Sequence, residues 1–579
     1  MSYILNIGNN MRGITNSPDL LIIIPPEREQ LTVYPPYGSM YIGAALREKS
    51  YKPSILNLDA ERISTKEVVE RIRVMNPKYI GYSGIVSTSY KFIKGLSWVL
   101  RQEFPKKIQI LGGGLAAAPE PVLRHTAIDI VVHGEGDITI TELLDHLENK
   151  TDLNSVKGIS FRTNGSYAYT GRRSLIKNID ILPYPAFDLI DMDRYLVDGI
   201  EFIYRFVSKL SLPDQNRIVD KRIYDPKRKR KMITIPTSRG CFGNCTFCYR
   251  AYRGIRTHSL DYIFNFIEYC IDKFDVGFFT FGDECFAPNK EWNWKFLKEF
   301  KKRDLDIIFR ILGMRVDTVD KEILQAYKEA GCWMIEYGFE SGNQKMLNIM
   351  EKGVSVQQNR NAGIWTNEAG MFTSPTLVLG MPGETEETIK ESIEFIKSLN
   401  FGYKQYQWTY ALPMPGAPLY EYAKLRGIID DEDKYLESIA GCDAGNLLIN
   451  LTEEPDEVVA SWSKLVSREI DKHYFYRKYK SKIVSVLILT VTNKIYAIKT
   501  HLKTGTLLKA LKRKLREFFI SLYHRRIEGT PNQKHISSNQ GIEELIQGLD
   551  FNRVNRAMSL RKVNQKLREL KYPNERTLG

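Results

Sequence analysis

Short, uninterrupted apolar runs alternate with stretches of helical length along the first 150 residues. Leu20–Ile24, Ser54–Leu58, Tyr79–Tyr82, Ile108–Leu111 and Ile128–Val132 read as five strands, and their continuous β-branched character is that of strands covered on both faces. Thr65–Met75 and Ser89–Phe104 have the length and spacing of helices between them. The alternation predicts an α/β domain, a doubly wound Rossmann-like sheet, over residues 1–150. The rhythm breaks over 151–231, which reads as a connector with one short strand at Gly158–Phe161 and a proline-punctuated extended piece at Leu182–Phe187. It resumes over 232–425. Met232–Pro236, Gly277–Phe281, Ile307–Ile311, Met334–Tyr337, Pro375–Leu379 and Tyr403–Tyr410, with helices such as Lys321–Ala330 and Glu386–Leu399, give six β/α repeats. Six repeats predict a partial (β/α)6 TIM-like barrel, whose chemistry sits at the carboxyl ends of its strands. Residues 426–579 lie outside that pattern and read as a basic, mostly helical region, with a loop at 529–541.

A chain of 579 residues has room for three or four domains. Its 43% hydrophobic and 26% charged residues are those of a globular protein rather than a disordered or collagen-like one. No apolar run reaches the roughly 18 residues needed to span a bilayer, the longest being Ile483–Val491, and the N-terminus lacks the basic and small-residue features of a secretion signal. The net charge of +14 is uneven. Residues 471–579 hold 24 Lys+Arg and 8 Asp+Glu, or +16, which leaves 14 − 16 = −2 for residues 1–470. In that tail Leu508, Leu511, Leu515, Phe518 and Leu522 form one apolar helical face ringed by Lys509, Lys512, Arg513, Lys514 and Arg516. Such a helix either packs on the barrel with its charge in water or lies on an anionic membrane. The basic residues lack interleaved aromatics, so no nucleic acid partner is expected. Lys227–Lys231 reads as a solvated linker rather than a targeting signal.

Seven cysteines, three of them within eight residues, do not make a disulfide framework and fit a reduced, cytoplasmic chain with a metal site. Cys241, Cys245 and Cys248 follow the strand Met232–Pro236 on a loop. Three thiolates can hold three irons of a cubane cluster and leave the fourth open. Structural zinc is the competing reading, but it calls for a fourth ligand that the neighbouring sequence lacks. Cys270, Cys285, Cys332 and Cys442 read as small apolar packing residues.

Unusual residues mark the strand ends of the first domain: Tyr37-Gly38, Asp59, Ser83-Gly84, Gly112-Gly113-Gly114 and Glu135-Gly136. One glycine cluster is as consistent with a turn as with a ligand. Several at successive strand ends favour a large ligand against the backbone. The absence of G-x-G-x-x-G argues against a dinucleotide. The layout resembles the cobalamin-binding domain, with Asp59 opening the first motif, Ser83-Gly84 standing at the second and Gly112-Gly113 at the third. Glu61 replaces the histidine that would ligate cobalt from below. The resemblance therefore implies cobalamin without a protein histidine on the metal. His125, His133 and His146 lie in this domain, and none stands where a lower ligand is expected.

The C-x3-C-x2-C spacing with Phe247 before the last cysteine resembles the radical SAM signature. The likeness continues at successive strand ends: Gly282-Asp283-Glu284, Arg315, Glu340-Ser341 within Gly338–Gly342, and Gly380 in Gly-Met-Pro-Gly-Glu384. The family pattern assigns these to S-adenosylmethionine, although Arg315 reads equally as a buried ion pair. Together the matches cover residues 1–420 or so and resemble the cobalamin-dependent radical SAM methyltransferases. That resemblance implies a 4Fe-4S cluster, S-adenosylmethionine and cobalamin as cofactors. It implies a 5′-deoxyadenosyl radical that takes hydrogen from an unactivated carbon, and methyl delivery from methylcobalamin. The alternative is a cyclisation or rearrangement with the same cofactors. A non-catalytic cobalamin-binding protein is a weaker reading, because it has no use for the cysteine trio. Methylthio transfer needs further N-terminal cysteines, and none precedes Cys241. The expected partners are a small-molecule or lipid-linked substrate and an electron donor such as flavodoxin or ferredoxin. The basic tail adds peripheral contact with the inner face of an anionic membrane as an option.

Overall fold

The computed structural model describes residues 17–26, 34–85, 87–164, 166–250, 254–403, 405–442 and 444–475. The expectations for Ile483–Val491, for the basic helix and for the loop at 529–541 lie outside the described residues. Those up to residue 467 belong to one compact unit.

The first sheet has seven strands: β1 (Leu20–Ile24), β2 (Pro53–Asn57), β3 (Tyr79–Ser83), β4 (Ile108–Gly112), β5 (Ile130–Val132), β6 (Ile159–Thr163) and β7 (Ser166–Tyr169), in the order 2-1-3-4-5-6-7. The first five are parallel, and every residue of β1 is buried, as the unbroken Leu-Leu-Ile-Ile-Ile run requires. The chain reverses its winding between β1 and β3, which opens a crevice at the carboxyl ends of those strands. Helices cap as their sequences dictate. Ser64 Oγ accepts from Glu67 N at the start of Thr65–Met75, and Asn76 closes that helix in the left-handed conformation. The sheet does not stop at residue 150. The connector's β6 pairs antiparallel with β5 and turns back as β7, covering an edge that would otherwise be open.

The second sheet runs β14-β13-β12-β9-β8, built from β8 (Val197–Asp198), β9 (Lys231–Ile235), β12 (Val276–Gly282), β13 (Ile308–Met314) and β14 (Cys332–Tyr337). A hairpin of β10 (Ser238–Cys241) and β11 (Gly254–Thr257) follows β9. Two further parallel strands, β15 (Thr376–Leu379) and β16 (Gln407–Tyr410), join β14 through bridges at Met334–Phe372 and Glu340–Leu377. All six predicted β/α strands form, β16 being shorter than Tyr403–Tyr410, and they make an open partial barrel. Phe309 and Phe281 face the outer helices, where they meet each other and Phe296 or Phe300. Thr280 and Arg310, of the opposite parity and paired across β12 and β13, therefore face the lumen.

The connector does more than link. Its helix Gly199–Val207 lies against the barrel strands: a methyl on Gly199 would stand 2.3 Å from the Phe278 ring, and Phe206 meets Trp333 and Phe372 edge-on. The Lys227–Lys231 run is not all solvated either, because the Arg228 side chain is 3% exposed and bonds both Asp306 oxygens. Beyond the barrel, helix Glu432–Ser438 returns to the first domain, where Asp433 accepts from Lys94 at 2.7 Å and from Tyr90. No helix among the described residues is long and apolar enough to cross a membrane.

Candidate active site

The cysteine loop leaves β10 and is clipped to the end of β12. Asp283, 8% exposed, accepts from Thr237 N and Ser238 N at 2.7 Å each, from Thr237 Oγ1 at 2.9 Å and from Ser238 Oγ at 3.0 Å. Four donors take up that carboxylate, so Asp283 shapes the loop. Its neighbours Gly282 and Glu284 are exposed. A methyl on Gly243 would stand 3.2 Å from Arg315 Nη1, 3.4 Å from Cys241 Sγ and 3.6 Å from Cys245 Sγ, so two thiols and the guanidinium converge on a position only glycine leaves free. The Cys285 thiol donates to Cys241, which also receives the Gly243 N–H at 3.3 Å and sits near Arg315 and Lys352; together these hold Cys241 below the usual thiol range. The Cys248 thiol does the same for Cys245, with Lys352 and Arg315 adding positive charge. Cys248 itself is raised by that bond and by burial; the Cys241 and Cys245 sulfurs, biased to thiolate, fit an iron–sulfur cluster. Cys285, Cys270 and Cys332 are buried; Cys442 is half-buried.

Arg315 is both things the sequence allowed. Its guanidinium pairs with Asp317 at 2.9 and 3.0 Å, donates to the Lys352 carbonyl at 3.2 Å and covers the Phe242 ring at 4.7 Å. Glu340, in the left-handed region at φ 62°, turns its carboxylate to Lys352 Nζ at 2.7 Å. Sequence reasoning missed Lys352, which follows a short helix and belongs to no motif. Ser341 Oγ is spent on Ser392 Oγ at 3.1 Å and on Asn343 N at 3.1 Å, so it supports the turn and does not face a ligand. Gly380 has φ 80°, and its N–H donates to Glu384, whose deeply buried carboxyl is pushed up to about 8 by burial. Phe247 packs partly into the core.

At the carboxyl ends of the first sheet the expected cobalamin residues separate into two sets. Gly38, Gly112 and Gly134 have open space where a side chain would be, as a ligand site needs. Gly113 at φ 89°, Gly114 and Gly84 instead let two loops touch: methyls on Gly113 and Gly114 would stand 2.6 Å from Gly84 O and 2.4 Å from Ile85 O. Gly136 makes room for Ile42. Ser83 ends β3 half-buried. Three polar candidates are occupied by protein. The Tyr37 hydroxyl donates to Thr234 O, Asp59 pairs with Arg62 at 2.8 Å, and Glu135 is held by Arg239 and Arg256. Glu61, at the histidine position, pairs with Arg71. Tyr249, directly after Cys248, was also missed; its ring is 3.4 Å from a methyl placed on Gly114 and 2.7 Å from one on Gly416.

Two family models match this chain: the B12 binding domain over residues 30–144 and the Radical SAM superfamily over residues 235–396. The chain is a radical SAM enzyme with a B12-binding domain. The two domains imply a 4Fe-4S cluster, S-adenosylmethionine and cobalamin. An uncharacterized methyltransferase of Pyrococcus horikoshii is 28% identical over 415 residues, 70% of this chain and 83% of that protein. The anaerobic magnesium-protoporphyrin IX monomethyl ester cyclase of Rubrivivax gelatinosus is 24% identical over 466 residues, 78% of this chain and 77% of that one. The radical S-adenosylmethionine methyltransferase TsrM of Kitasatospora setae, solved with cobalamin and a 4Fe-4S cluster bound, shares the fold at TM-score 0.54 and 17% identity, covering 71% of this chain and 76% of that one.

Proposed function

We propose that this radical SAM enzyme is a cobalamin-dependent methyltransferase that acts on an unactivated carbon of a small molecule or lipid-linked substrate, with a flavodoxin or ferredoxin as electron donor. What carries the reading is the meeting of a three-thiol loop and the glycine-lined ends of a B12-binding sheet, with the Tyr249 ring at the contact. When bound, the cluster with S-adenosylmethionine supplies a carbon-centred radical oxidant and the corrinoid supplies a methyl group. Cys241, Cys245 and Cys248 would hold three irons. Lys352 offers the charge for a carboxylate at the remaining corner, and Glu340 offers an acceptor beside it. Gly38, Gly112 and Gly134 give the corrin backbone to lie against. Glu61 is engaged by Arg71 and would not be free to act as a ligand to the cobalt. The domain limits 1–150, 151–231, 232–425 and 426–579 belong to this proposal, with β6 and β7 reassigned to the first domain.

Substrate choice falls to the lumen. Arg310 is 4% exposed, donates to Thr280 Oγ1 at 2.9 Å and covers the Phe202 ring at 4.4 Å. The Glu336 carboxyl nearby is raised by burial against the opposing pull of the Arg310 charge, and no ion pair to Arg310 closes among the described residues. A desolvated cation without a bonded anion fits a substrate that brings a carboxylate or another anionic group.

The cyclase relatives favour ring formation as the second reading. Anaerobic reconstitution, followed by incubation of a small-molecule extract with methyl-deuterated S-adenosylmethionine, separates the two. A product heavier by one labelled methyl supports transfer to carbon. Substrate loss with 5′-deoxyadenosine formed and no methyl gained supports cyclisation.

A further inference from the structure

The cysteine loop is fastened to the first domain on both flanks. On its amino side Arg239 of β10 sits directly opposite Arg256 of β11. Two neighbouring guanidinium groups repel unless anions meet them, and both anions come from the turn after β5. Arg256 Nη1 lies 2.9 and 2.8 Å from the two Glu135 oxygens, and Arg239 Nη1 lies 2.7 Å from Asp137 Oδ2 and 3.2 Å from Glu135 Oε1. Arg239 Nη2 adds a bond to Asp137 Oδ1 at 3.1 Å. The four side chains are only 5, 6, 15 and 14% exposed for Glu135, Asp137, Arg239 and Arg256. Glu135 further accepts from Ile176 N at 2.9 Å, and Arg239 covers the Tyr41 ring at 5.1 Å. On the carboxyl side, Tyr249 abuts Gly114 and Gly416.

Buried charges are a poor way to gain stability, since apolar residues of similar size would hold two surfaces together at least as well. What forked, paired hydrogen bonds add is direction and register. Here the register links Gly134-Glu135-Gly136, at the end of the B12-binding sheet, to the strand that ends on Cys241.

We propose that the Glu135/Asp137–Arg239/Arg256 cluster is a positioning device that fixes the separation between the corrin and the iron–sulfur cluster. The inference rests on the cofactor reading given above. One cofactor would remove a hydrogen atom from the substrate carbon and the other would deliver a methyl group to that same carbon, so the gap between them needs to be held to within a fraction of an ångström.

The test is pulsed electron paramagnetic resonance on the holoenzyme, reading the distance distribution between cob(II)alamin and the reduced cluster. In the double variant D137N/R239Q neither partner of that pair is left as a lone buried charge. It should retain wild-type iron and corrin content while the distribution broadens at least twofold, with Arg256→Lys intermediate. An unchanged distribution with both cofactors bound overturns the proposal. So does loss of corrin with the cluster intact, which would make the acids part of the corrin site. Should the double variant not fold, Arg256→Lys alone decides by the same readout, an unchanged distribution again overturning the proposal. A wild-type protein that binds neither cofactor would instead sink the cofactor reading itself.

Discussion

Lys352 Nζ lies 2.7 Å from Glu340 Oε1, with the two side chains 14 and 11% exposed. Gly338 makes the pair possible, because a methyl there would stand 2.2 Å from Glu340 Oε1 and 2.8 Å from Lys352 Nζ. Each charge is compensated by the other, and both lie close to Cys245. Lys352→Met should leave the cluster intact and weaken S-adenosylmethionine binding by about 2 kcal/mol, roughly thirtyfold in Kd. Equilibrium dialysis on the reconstituted protein measures this. Unchanged affinity would remove Lys352 from the site.

Gly113 holds two loops together by its lack of a side chain. At φ 89° and with Gly84 O 2.6 Å from any added methyl, Gly113→Ala has no cheap accommodation and should cost about 3 kcal/mol as well as corrin binding. Gly95, inside helix Tyr90–Glu103 with open space around it, is the control: Gly95→Ala should add about 0.5–1 kcal/mol. Urea midpoints compare the two, and equal behaviour would contradict the assignment.

His133, in the turn beside Glu135, is pushed down to about 4 from its ordinary 6.5, mainly by burial, with the Ala116 carbonyl pulling the other way. Its Nε2 sits 2.8 Å from Ser160 Oγ. The folded protein prefers the neutral ring, so this contribution is complete above pH 6.5 and is lost as pH falls towards 4. Its upper limit is about 3 kcal/mol. The drop in unfolding free energy from pH 7 to pH 4.5 should be smaller in His133→Gln than in the wild type; equal drops would refute the assignment.

Arg310 separates ligand recognition from support of the fold. Replacing a buried cation that closes no ion pair among the described residues, its carboxyl neighbour Glu336 being itself raised by burial, should raise stability by about 1 kcal/mol. Arg310→Met is therefore expected to raise Tm while substrate-independent cleavage of S-adenosylmethionine stays at the wild-type rate. An arginine that holds the barrel together would lower Tm instead.

The strands of both sheets were legible because each is a continuous apolar run, and Gly158–Phe161 marked β6 within the connector, whereas β7 and β8 were not legible. Ser166–Tyr169 is a part-exposed edge strand without that signal, and Val197–Asp198 is two residues long. Helix Gly199–Val207 left a signal that went unread: Asp198 caps it, and apolar residues recur along Ile-Glu-Phe-Ile-Tyr-Arg-Phe-Val. Motif reading located the loops of the site but not the protein partners of individual carboxylates. A sequence shows that Glu135 and Asp283 are acidic, but not that Arg256 and Thr237, 121 and 46 residues away, satisfy them. Lys352 and Tyr249 owe their places to contacts that no local spacing encodes.

The most direct test of the account compares the anaerobically reconstituted wild type with the C241A/C245A/C248A triple variant. Iron, sulfide and corrinoid content are measured on each, together with 5′-deoxyadenosine formed from S-adenosylmethionine under reduction. The wild type should carry one 4Fe-4S cluster and one corrinoid and cleave its cosubstrate, and the variant should keep the corrinoid alone and cleave none. A wild type lacking both cofactors, or a variant that still cleaves S-adenosylmethionine, would contradict it.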